Sequence, residues 1–206
     1  MSDTELGLFP LGIVLLPTEQ IPLHIFEERY QELIGECLAE EREFGLVFAD
    51  EDGLREVGTR AAVTEVLDRF EDGRLNVVAE GRERFRVVEL TEGRSFQTGI
   101  VETVDDEPDI ADPKDTARAL ELFHRLVELT GAEVEEPSLE AEQLSFALAG
   151  RFEFAPELKQ RLLQLTSERR RMQLLAQLLQ GAAKAVERER EIAARALGNG
   201  KVDPRA

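Results

Sequence analysis

The sequence predicts an α+β protein in which a strand-rich part with one inserted helix precedes a helical part. Three observations support this prediction. Between residues 44 and 104, short apolar stretches alternate with turn residues, as is typical of β-strands. One segment near the N-terminus has amphipathic helical spacing. After residue 112, apolar residues recur at helical spacing almost to the end of the chain. One helix among about six short strands favours a small, partly closed mixed β-barrel, followed by a helical bundle.

The first strands lie in an apolar opening stretch. Leu6–Leu11 is predicted to be a strand broken by Pro10, at an edge or a bulge, because proline cannot donate to a strand ladder. A polar turn follows, and Ile21–Ile25 resumes the extended pattern. The apolar side chains between the strands either fill the core or are exposed at a surface that binds a partner. The candidates for such a polypeptide-binding surface are Val14, Leu15, Leu16, Pro17 and Ile21.

A helix is predicted from about Glu27 to Arg42. Its buried face is predicted to contain Phe26, Tyr30, Leu33, Ile34, Cys37 and Leu38, which recur at helical spacing. On that face Cys37 is expected to be a buried apolar side chain rather than a reactive thiol.

Short strands should follow this helix. Strands are predicted at 44–49, 61–70, 75–79, 85–90 and 96–104. Asp72-Gly73 is a hairpin signal. Gly81 is predicted to interrupt the return strand at a bulge or bend.

Residues 105–112 form an acidic linker, after which four helices are predicted. The first begins at Asp112-Pro113 and ends at Thr130, and the second runs from a cap at Ser138 to Leu148. The third begins at Pro156, and the last runs from a cap at Ser167 to about residue 197. The last helix has a seam that packs within the bundle or against another subunit: Met172, Leu175, Leu179, Ala182 and Val186. The predicted domains are 1–106 and 107–198, with a disordered tail at 199–206.

The net charge is strongly negative and is distributed unevenly along the chain. Of the net charge of −18, residues 1–110 account for −17, with 27 Asp and Glu against 10 Lys and Arg. Such a surface repels phosphates, so nucleic acid is a poor partner. RNA binding remains an alternative because the sequence has two basic clusters, one of Arg82, Arg84 and Arg86 and one of Arg169–Arg171. We expect the arginines at 82, 84 and 86 to pair with nearby acids, and those at 169–171 to form a solvated helix face.

The residues also indicate location and chemistry. The sequence has no apolar run that spans a membrane and no signal peptide, and its one cysteine fits a reducing cytoplasm. It has no phosphate-binding loop and no Gly-x-Ser-x-Gly motif, and its two histidines, His24 and His124, are expected to be structural. We therefore expect no cofactor, no metal and no enzymatic activity. A small-molecule-binding or enzymatic barrel remains a further alternative.

Several motifs, in order along residues 6–182, resemble the Lon protease N-terminal domain family. They are Phe9-Pro10-Leu11, Ile21-Pro22-Leu23, Ile25–Tyr30, Val57-Gly58-Thr59 with Ala62, Asp72-Gly73, Gly81 with Arg84–Val87, and Pro156–Leu163. The residues that carry the resemblance are expected to be structural: Phe9, Pro10, Pro22, Phe26, Glu27, Arg29, Tyr30, Gly58, Gly81, Arg84 and Phe85. The first loop departs from the family, since Pro17-Thr18-Glu19 stands where a proline-glycine turn is common.

The resemblance implies a PUA-like barrel with a helical bundle, and a domain that binds unfolded or extended polypeptide or a partner protein. It also implies a stand-alone bacterial member, because the sequence ends where a full-length Lon would continue to its ATPase and Ser–Lys peptidase. Such a protein would act as an adaptor or regulator of proteolysis, with its ligand in the groove between barrel and bundle. Self-association through the last helix, and RNA binding by a PUA-like barrel, remain alternatives.

Overall fold

The computed structural model describes residues 4–199, except for the side chains of residues 194 and 196–199. Seven strands and five helices follow one another in this range. They are β1 (Thr4–Leu11), β2 (Gln20–Ile25), α1 (Glu28–Glu40), β3 (Phe44–Asp50), β4 (Gly53–Leu54), β5 (Val57–Arg69), β6 (Leu75–Thr91), β7 (Thr98–Thr103), α2 (Pro113–Thr130), α3 (Leu144–Ala149), α4 (Pro156–Gln164) and α5 (Glu168–Asn199). This order confirms the α+β class, with one helix inserted among the strands and the other helices after them.

The strands form one mixed sheet with the order β1-β7-β6-β5-β3-β4. Strand β1 is antiparallel to β7 over residues 4–7 and parallel to β3 over residues 8–11, so the sheet curls back on itself. Strand β2 lies off this path and pairs with β6. The strand β1 continues through Pro10, contrary to the predicted break, because at that point it has one neighbouring strand and the missing N–H leaves little unpaired.

Strand β6 is assigned continuously through Gly81, but its register with β5 shifts between the pairs Ala61–Gly81 and Thr59–Arg84, so the predicted irregularity is present. Gly81 also allows close contact with the first loop, residues 12–19. Its N–H donates to the Glu19 carbonyl at 2.8 Å, and its carbonyl accepts from the Thr18 N–H at 2.9 Å. A Cβ atom here would lie 2.1 Å from the carbonyl oxygen of Leu16. Glycine is therefore required at this position because another backbone approaches it closely.

The hairpin signal at Asp72-Gly73 is confirmed. Gly73 has a φ of +88°, in the left-handed region that favours glycine. The Phe70 N–H donates to the Arg74 carbonyl at 3.0 Å across the turn that joins β5 to β6.

Helix α1 buries Tyr30, Leu33, Ile34 and Cys37, as its periodicity predicts. Phe26 is a correction, because it precedes the helix and its side chain is 61% exposed. Side chains before the first helical residue do not follow the helical direction, so the extrapolated pattern fails there.

The second C-terminal helix is shorter than predicted and covers only Leu144–Ala149. Ser138 does not cap it, and instead its Oγ accepts from the Glu140 N–H in a turn. Leu139 is 59% exposed, so this segment has no apolar face to pack. Without such packing a short helix is marginal in water. The predicted caps at Asp112 and Ser167 are confirmed, since each side chain accepts from an N–H in the first turn of its helix.

The seam on α5 packs within the chain. Met172, Leu175 and Leu179 are fully buried in one apolar cluster with Phe123 and Leu126 of α2. Helix α5 extends to Asn199, and residues 200–206 of the predicted tail lie outside the described part of the chain.

The sheet and the helices share an apolar core, so the two parts are packed against each other. Val14 and Leu16 of the first loop, with Phe48 and Val57 of the sheet, belong to the same cluster as helical residues such as Phe146 and Leu162. The division into domains at residue 106 stays a prediction, and this shared core means that the two parts do not pack independently of each other.

Four charged residues complete this contact, and we call them the ion cluster: Arg84, Asp106, Glu168 and Arg171. The Arg171 side chain is fully buried and donates to Asp106 and to Glu168, the latter at 2.7 Å. Arg84 is 2% exposed, pairs with Asp106, and donates to the carbonyls of Leu163 at 2.9 Å and Leu165 at 2.7 Å. A buried charge is tolerated when it is paired and hydrogen-bonded in this way.

The surroundings of the two arginines differ. Burial lowers the pKa of Arg84, and Asp106 offsets this only in part. Burial also acts to lower the pKa of Arg171, but the hydrogen bonds and charges of Asp106 and Glu168 outweigh it and raise that pKa. Arginine stays charged in either case. The expected solvated face is therefore wrong for Arg171.

The acidic segment 105–112 is held in place rather than free. Asp106 belongs to the ion cluster, and Asp109 accepts from the Ser167 hydroxyl at 2.5 Å and from the Glu168 N–H at 3.0 Å. This segment therefore joins the sheet to α5 as part of the packed structure.

Candidate functional site

A surface cavity of about 430 Å³ lies where the first loop and β2 meet the connection between α3 and α4. We call it the groove. Its lining is apolar with a polar rim: Ile13, Val14, Ile21, Pro22, Phe152, Phe154 and Pro156, with Glu19, Gln20, Gly150, Arg151, Glu153 and Lys159. This volume lies within the range of ligand pockets and admits one or two apolar side chains.

The first loop is fixed by polar contacts on several sides. The Leu16 N–H donates to the Glu19 carboxylate at 2.9 Å, and the Thr59 hydroxyl donates to the Leu15 carbonyl at 2.6 Å. The Glu19 carboxylate also pairs with the Lys159 ammonium, and both side chains are at most 10% exposed. This buried pair connects the loop to α4 and neutralises the polar end of the groove. The groove is therefore held in a preformed shape.

The other wall of the groove is aromatic. Phe152 and Phe154 are half-buried, and their ring centroids are 6.3 Å apart at 66°. Phe152 also packs edge-to-face on the buried Phe123, at 5.2 Å. Edge-to-face packing fixes the ring positions, so a bound apolar side chain would meet a rigid wall.

The structure places two of the five predicted site residues in the groove. Ile21 lines it and is half-buried, and Val14 lies at its floor with 4% exposure. Leu15, Leu16 and Pro17 are buried, so an exposed apolar loop is wrong for them. Leu15 enters the core beneath α1 and Leu16 enters the core shared with the helices. The loop passes between these two cores, so the side chains of the adjacent residues Leu15 and Leu16 point into different cores.

Sequence reasoning missed the aromatic wall. Phe152 and Phe154 follow Gly150 at alternate positions before Pro156, between two predicted helices. Two aromatics that alternate in a segment between helices have no helical face to join. That pattern is the signal that points to a surface role.

Several residues that carry the family resemblance make contacts within the fold. The rings of Phe9 and Tyr30 pack at 4.0 Å, and Phe85 is fully buried. A Cβ at Gly58 would lie 2.6 Å from the Leu46 carbonyl oxygen, so that position also requires glycine. Glu27 pairs with Arg29 at 2.7 Å on the surface. Phe26 is exposed, and Pro22 lines the groove.

The one cysteine and the two histidines differ in their surroundings. Burial, and secondarily the charge of Glu36, raises the pKa of Cys37 to about 11, so its thiol stays protonated at neutral pH. Both histidines are exposed, and each has one polar partner: Asn76 at 2.6 Å from His24, and Glu136 at 3.1 Å from His124. Among residues 4–199, no His, Cys, Asp and Glu side chains are grouped so that they could hold a metal ion.

The predicted basic row does not form a free surface either. Arg84 is in the ion cluster, Arg82 pairs with Glu80 at 2.7 Å, and Arg86 lies 3.4 Å from Glu56. The pairing with nearby acids is thus confirmed. None of the helices in residues 4–199 combines the length and apolar character that a membrane crossing needs.

A rigid α+β domain with a preformed apolar groove is characteristic of a class of binding domains. A comparison with known families identifies the family of binding domains. The chain belongs to the ATP-dependent protease La (LON) substrate-binding domain family, whose model matches residues 5–181.

Similar sequences are found in larger proteins. The chain is 26% identical to the Lon protease of Paraburkholderia phytofirmans, over 100% of this chain and 27% of that protein. It is 26% identical to the Lon protease of Bacillus thuringiensis, over 93% of this chain and 26% of that protein. The chain therefore spans about a quarter of the length of the curated relatives it matches.

Solved structures share the fold. A Lon N-terminal domain protein from Xanthomonas campestris is 28% identical, with a TM-score of 0.67 over 84% of this chain and 96% of that one. The N-terminal domain of the Lon protease from the Mycobacterium avium complex has a TM-score of 0.65 at 18% identity, over 86% of this chain and 98% of that one.

Proposed function

We propose that this chain is a binding module that holds unfolded or extended polypeptide segments in the groove. The observation that carries the proposal is the apolar lining of the groove, with the wall of Phe152 and Phe154, in a member of a substrate-binding family. Half-buried aromatic and aliphatic side chains gain free energy when a partner removes them from water. Unfolded chains expose apolar side chains that can supply such a partner.

Strand β2 supports the same mode of binding. It pairs with β6 on one side, and among the described residues no strand covers its other edge. Gln20, Ile21 and Pro22 of this strand line the groove. An extended segment can therefore lie beside the edge and place alternate side chains in the groove. Pro22 has no N–H to donate, so main-chain pairing is incomplete and apolar contacts dominate.

The proposed module binds polypeptide and does not cleave it. Cys37 is protonated and buried, and both histidines are exposed without a nucleophile among their polar partners. The relatives are named Lon protease, and three quarters of their length has no counterpart in this chain. We propose that the strand-rich part is a PUA-like barrel on which the helices form a bundle, and that the module acts as an adaptor or regulator of proteolysis.

The acidic charge indicates which segments bind. Residues 1–110 carry −17, so an apolar segment flanked by Lys or Arg approaches more readily than an acidic one. The same charge disfavours nucleic acid.

The test is fluorescence anisotropy with a labelled, permanently unfolded peptide of apolar and basic residues. We expect saturable binding that persists at moderate salt. The variant Phe154→Ser should weaken it about tenfold, which corresponds to about 1.4 kcal/mol. Phe70→Ser is the matched control, since Phe70 is an exposed aromatic on the β5–β6 hairpin, outside the groove. Absence of binding at ~100 μM protein, or an equal loss in the control, would contradict the proposal.

A further inference from the structure

We propose that a second cavity binds a free α-amino acid with a large apolar side chain. This cavity measures about 360 Å³ and lies between the start of β1, helix α1 and the loop before β7. It shares no lining residue with the groove. Nothing in the proposed polypeptide binding uses it, and its ligand class follows from its own residues.

The floor of this cavity is apolar. Leu6, Leu33, Cys37 and Phe96 line it, and each is at most 6% exposed. They come from β1, α1 and the loop before β7, so the cavity lies where three elements meet. Its volume lies near the lower limit for ligand pockets, which suits a small molecule with one aromatic or branched aliphatic group.

One cation and one anion in this cavity have no ion-pair partner. Arg60 and Glu43 both line it, and both are half-buried. Within residues 4–199, neither side chain lies within 4.0 Å of an opposite charge or makes a side-chain hydrogen bond. A ligand that pairs with both side chains would form charge-assisted hydrogen bonds that these two residues otherwise lack.

The other charged groups in the cavity are already satisfied. Arg94 pairs with Glu36 and stacks on the ring of Phe96 at 4.7 Å. Arg42 pairs with Glu40 at 2.8 Å, outside the cavity. The Glu5 carboxylate accepts from the Thr91 hydroxyl at 2.9 Å. Arg60 and Glu43 are therefore the pair available to a ligand.

The strand register explains why these two charges face the same space. Gly45 of β3 is opposite Arg60 of β5, and Phe44 is opposite Ala61. Glu43 lies two residues before Gly45, just outside β3. Glu43 and Arg60 both line the cavity that has the apolar floor.

An α-amino acid has the complementary arrangement. Its carboxylate matches the planar guanidinium of Arg60, which can donate two parallel hydrogen bonds. Its ammonium group donates to the carboxylate of Glu43, and its apolar side chain covers Leu33 and Phe96. A simple organic acid would leave Glu43 unpaired, and a simple amine would leave Arg60 unpaired. The zwitterion satisfies both.

Three probes with one phenyl group test this on the unmodified protein: L-phenylalanine, 3-phenylpropionate and phenethylamine. Isothermal titration calorimetry at up to ~10 mM of each probe covers weak affinities. We expect L-phenylalanine to bind at least about tenfold more tightly than either singly charged probe. If 3-phenylpropionate or phenethylamine binds as tightly as L-phenylalanine, or if no probe binds, the proposal is overturned.

Charge-removing variants test the residues. Arg60→Gln should abolish the preference of L-phenylalanine over phenethylamine, and Glu43→Gln its preference over 3-phenylpropionate. Arg82→Gln is the control, since Arg82 lies outside the cavity and pairs with Glu80, and it should keep both preferences. If the preferences survive in Arg60→Gln and Glu43→Gln, the assignment is wrong. Polypeptide binding in the groove should be unchanged in all three variants, so the two proposals fail independently.

Discussion

The contact between the sheet and the helices has two parts that are built in opposite ways. In the ion cluster, Arg84 and Arg171 are nearly or fully buried, and every charge has a partner. In the groove, Phe152 and Phe154 stay half-buried, and the apolar lining has no partner on its open side. The first part contributes stability and a fixed geometry, while the second leaves apolar surface available for a ligand. The paired charges of the ion cluster fix the positions of the sheet and the helices, and the groove between these elements keeps its apolar lining open to a ligand.

The largest expected effect on stability comes from a substitution in the ion cluster. Arg171→Ala leaves Glu168 without its ion-pair partner and Asp106 with Arg84 alone, which should lower the free energy of unfolding by about 3–5 kcal/mol. Arg170→Ala is the control on the next residue, which is exposed, and it should change stability by about 0.5 kcal/mol or less. Urea unfolding monitored by circular dichroism measures both. Equal effects of the two variants on the free energy of unfolding would show that Arg171 in the ion cluster contributes no more stability than an exposed arginine.

A second prediction concerns the frame of the groove. Gly81→Ala places a Cβ at 2.1 Å from the Leu16 carbonyl, so the first loop must move. We expect a loss of about 1–3 kcal/mol in stability, together with weaker peptide binding. Gly35→Ala is the matched control, because nothing lies within 4 Å of its added Cβ and the site is helical. It should stabilise the protein by about 0.5–1 kcal/mol. A neutral Gly81→Ala would mean that the loop is not held against β6.

A third prediction sharpens the account of the first loop. Thr18 has a φ of +66° in the turn of the first loop, an unfavourable value for a β-branched residue. Thr18→Gly should relieve this strain and raise the free energy of unfolding by about 1 kcal/mol. Thermal unfolding measures the change. A decrease in stability would indicate that the loop does not adopt this turn.

The smallest expected effect depends on pH. The hydrogen bond from the Ser167 hydroxyl, with those from backbone N–H groups, lowers the pKa of Asp109 below its ordinary value. The folded state then binds this proton less readily than the unfolded state. Asp109 therefore stabilises the protein above its ordinary pKa, and this contribution is lost as the pH falls through the lowered value.

Thermal unfolding of the wild type and of Asp109→Asn between pH 7 and pH 2 tests this. The wild type should be the more stable at neutral pH, and the difference should shrink in acid. A difference that is constant with pH would contradict the assignment.

Local patterns in the sequence predict much of the fold. The face of α1, the caps of α2 and α5 and the turn at Gly73 all depend on residues within a few positions of one another. The failures involve contacts between distant residues. Leu15 and Leu16 are adjacent in sequence but enter separate cores, which no spacing rule anticipates. The helix predicted from Ser138 fails because no other element covers Leu139.

The candidate sites show the same limit. The groove brings residues 13–22 together with residues 150–159. The ion cluster brings Arg84 together with Asp106, Glu168 and Arg171. Val14 and Ile21 were predictable as apolar residues near a loop. Their aromatic partners were not, because the packing of α3 and α4 on the first loop decides the contact.

Hydrogen–deuterium exchange, with and without the unfolded apolar-basic peptide, tests the central claim most directly. At saturating peptide, our account predicts slower exchange of backbone amides in two segments, residues 13–22 and 150–156. The β5–β6 hairpin around Gly73 should not change. Protection confined to the hairpin or to the outer face of α5, with no change in these two segments, would contradict a polypeptide-binding groove.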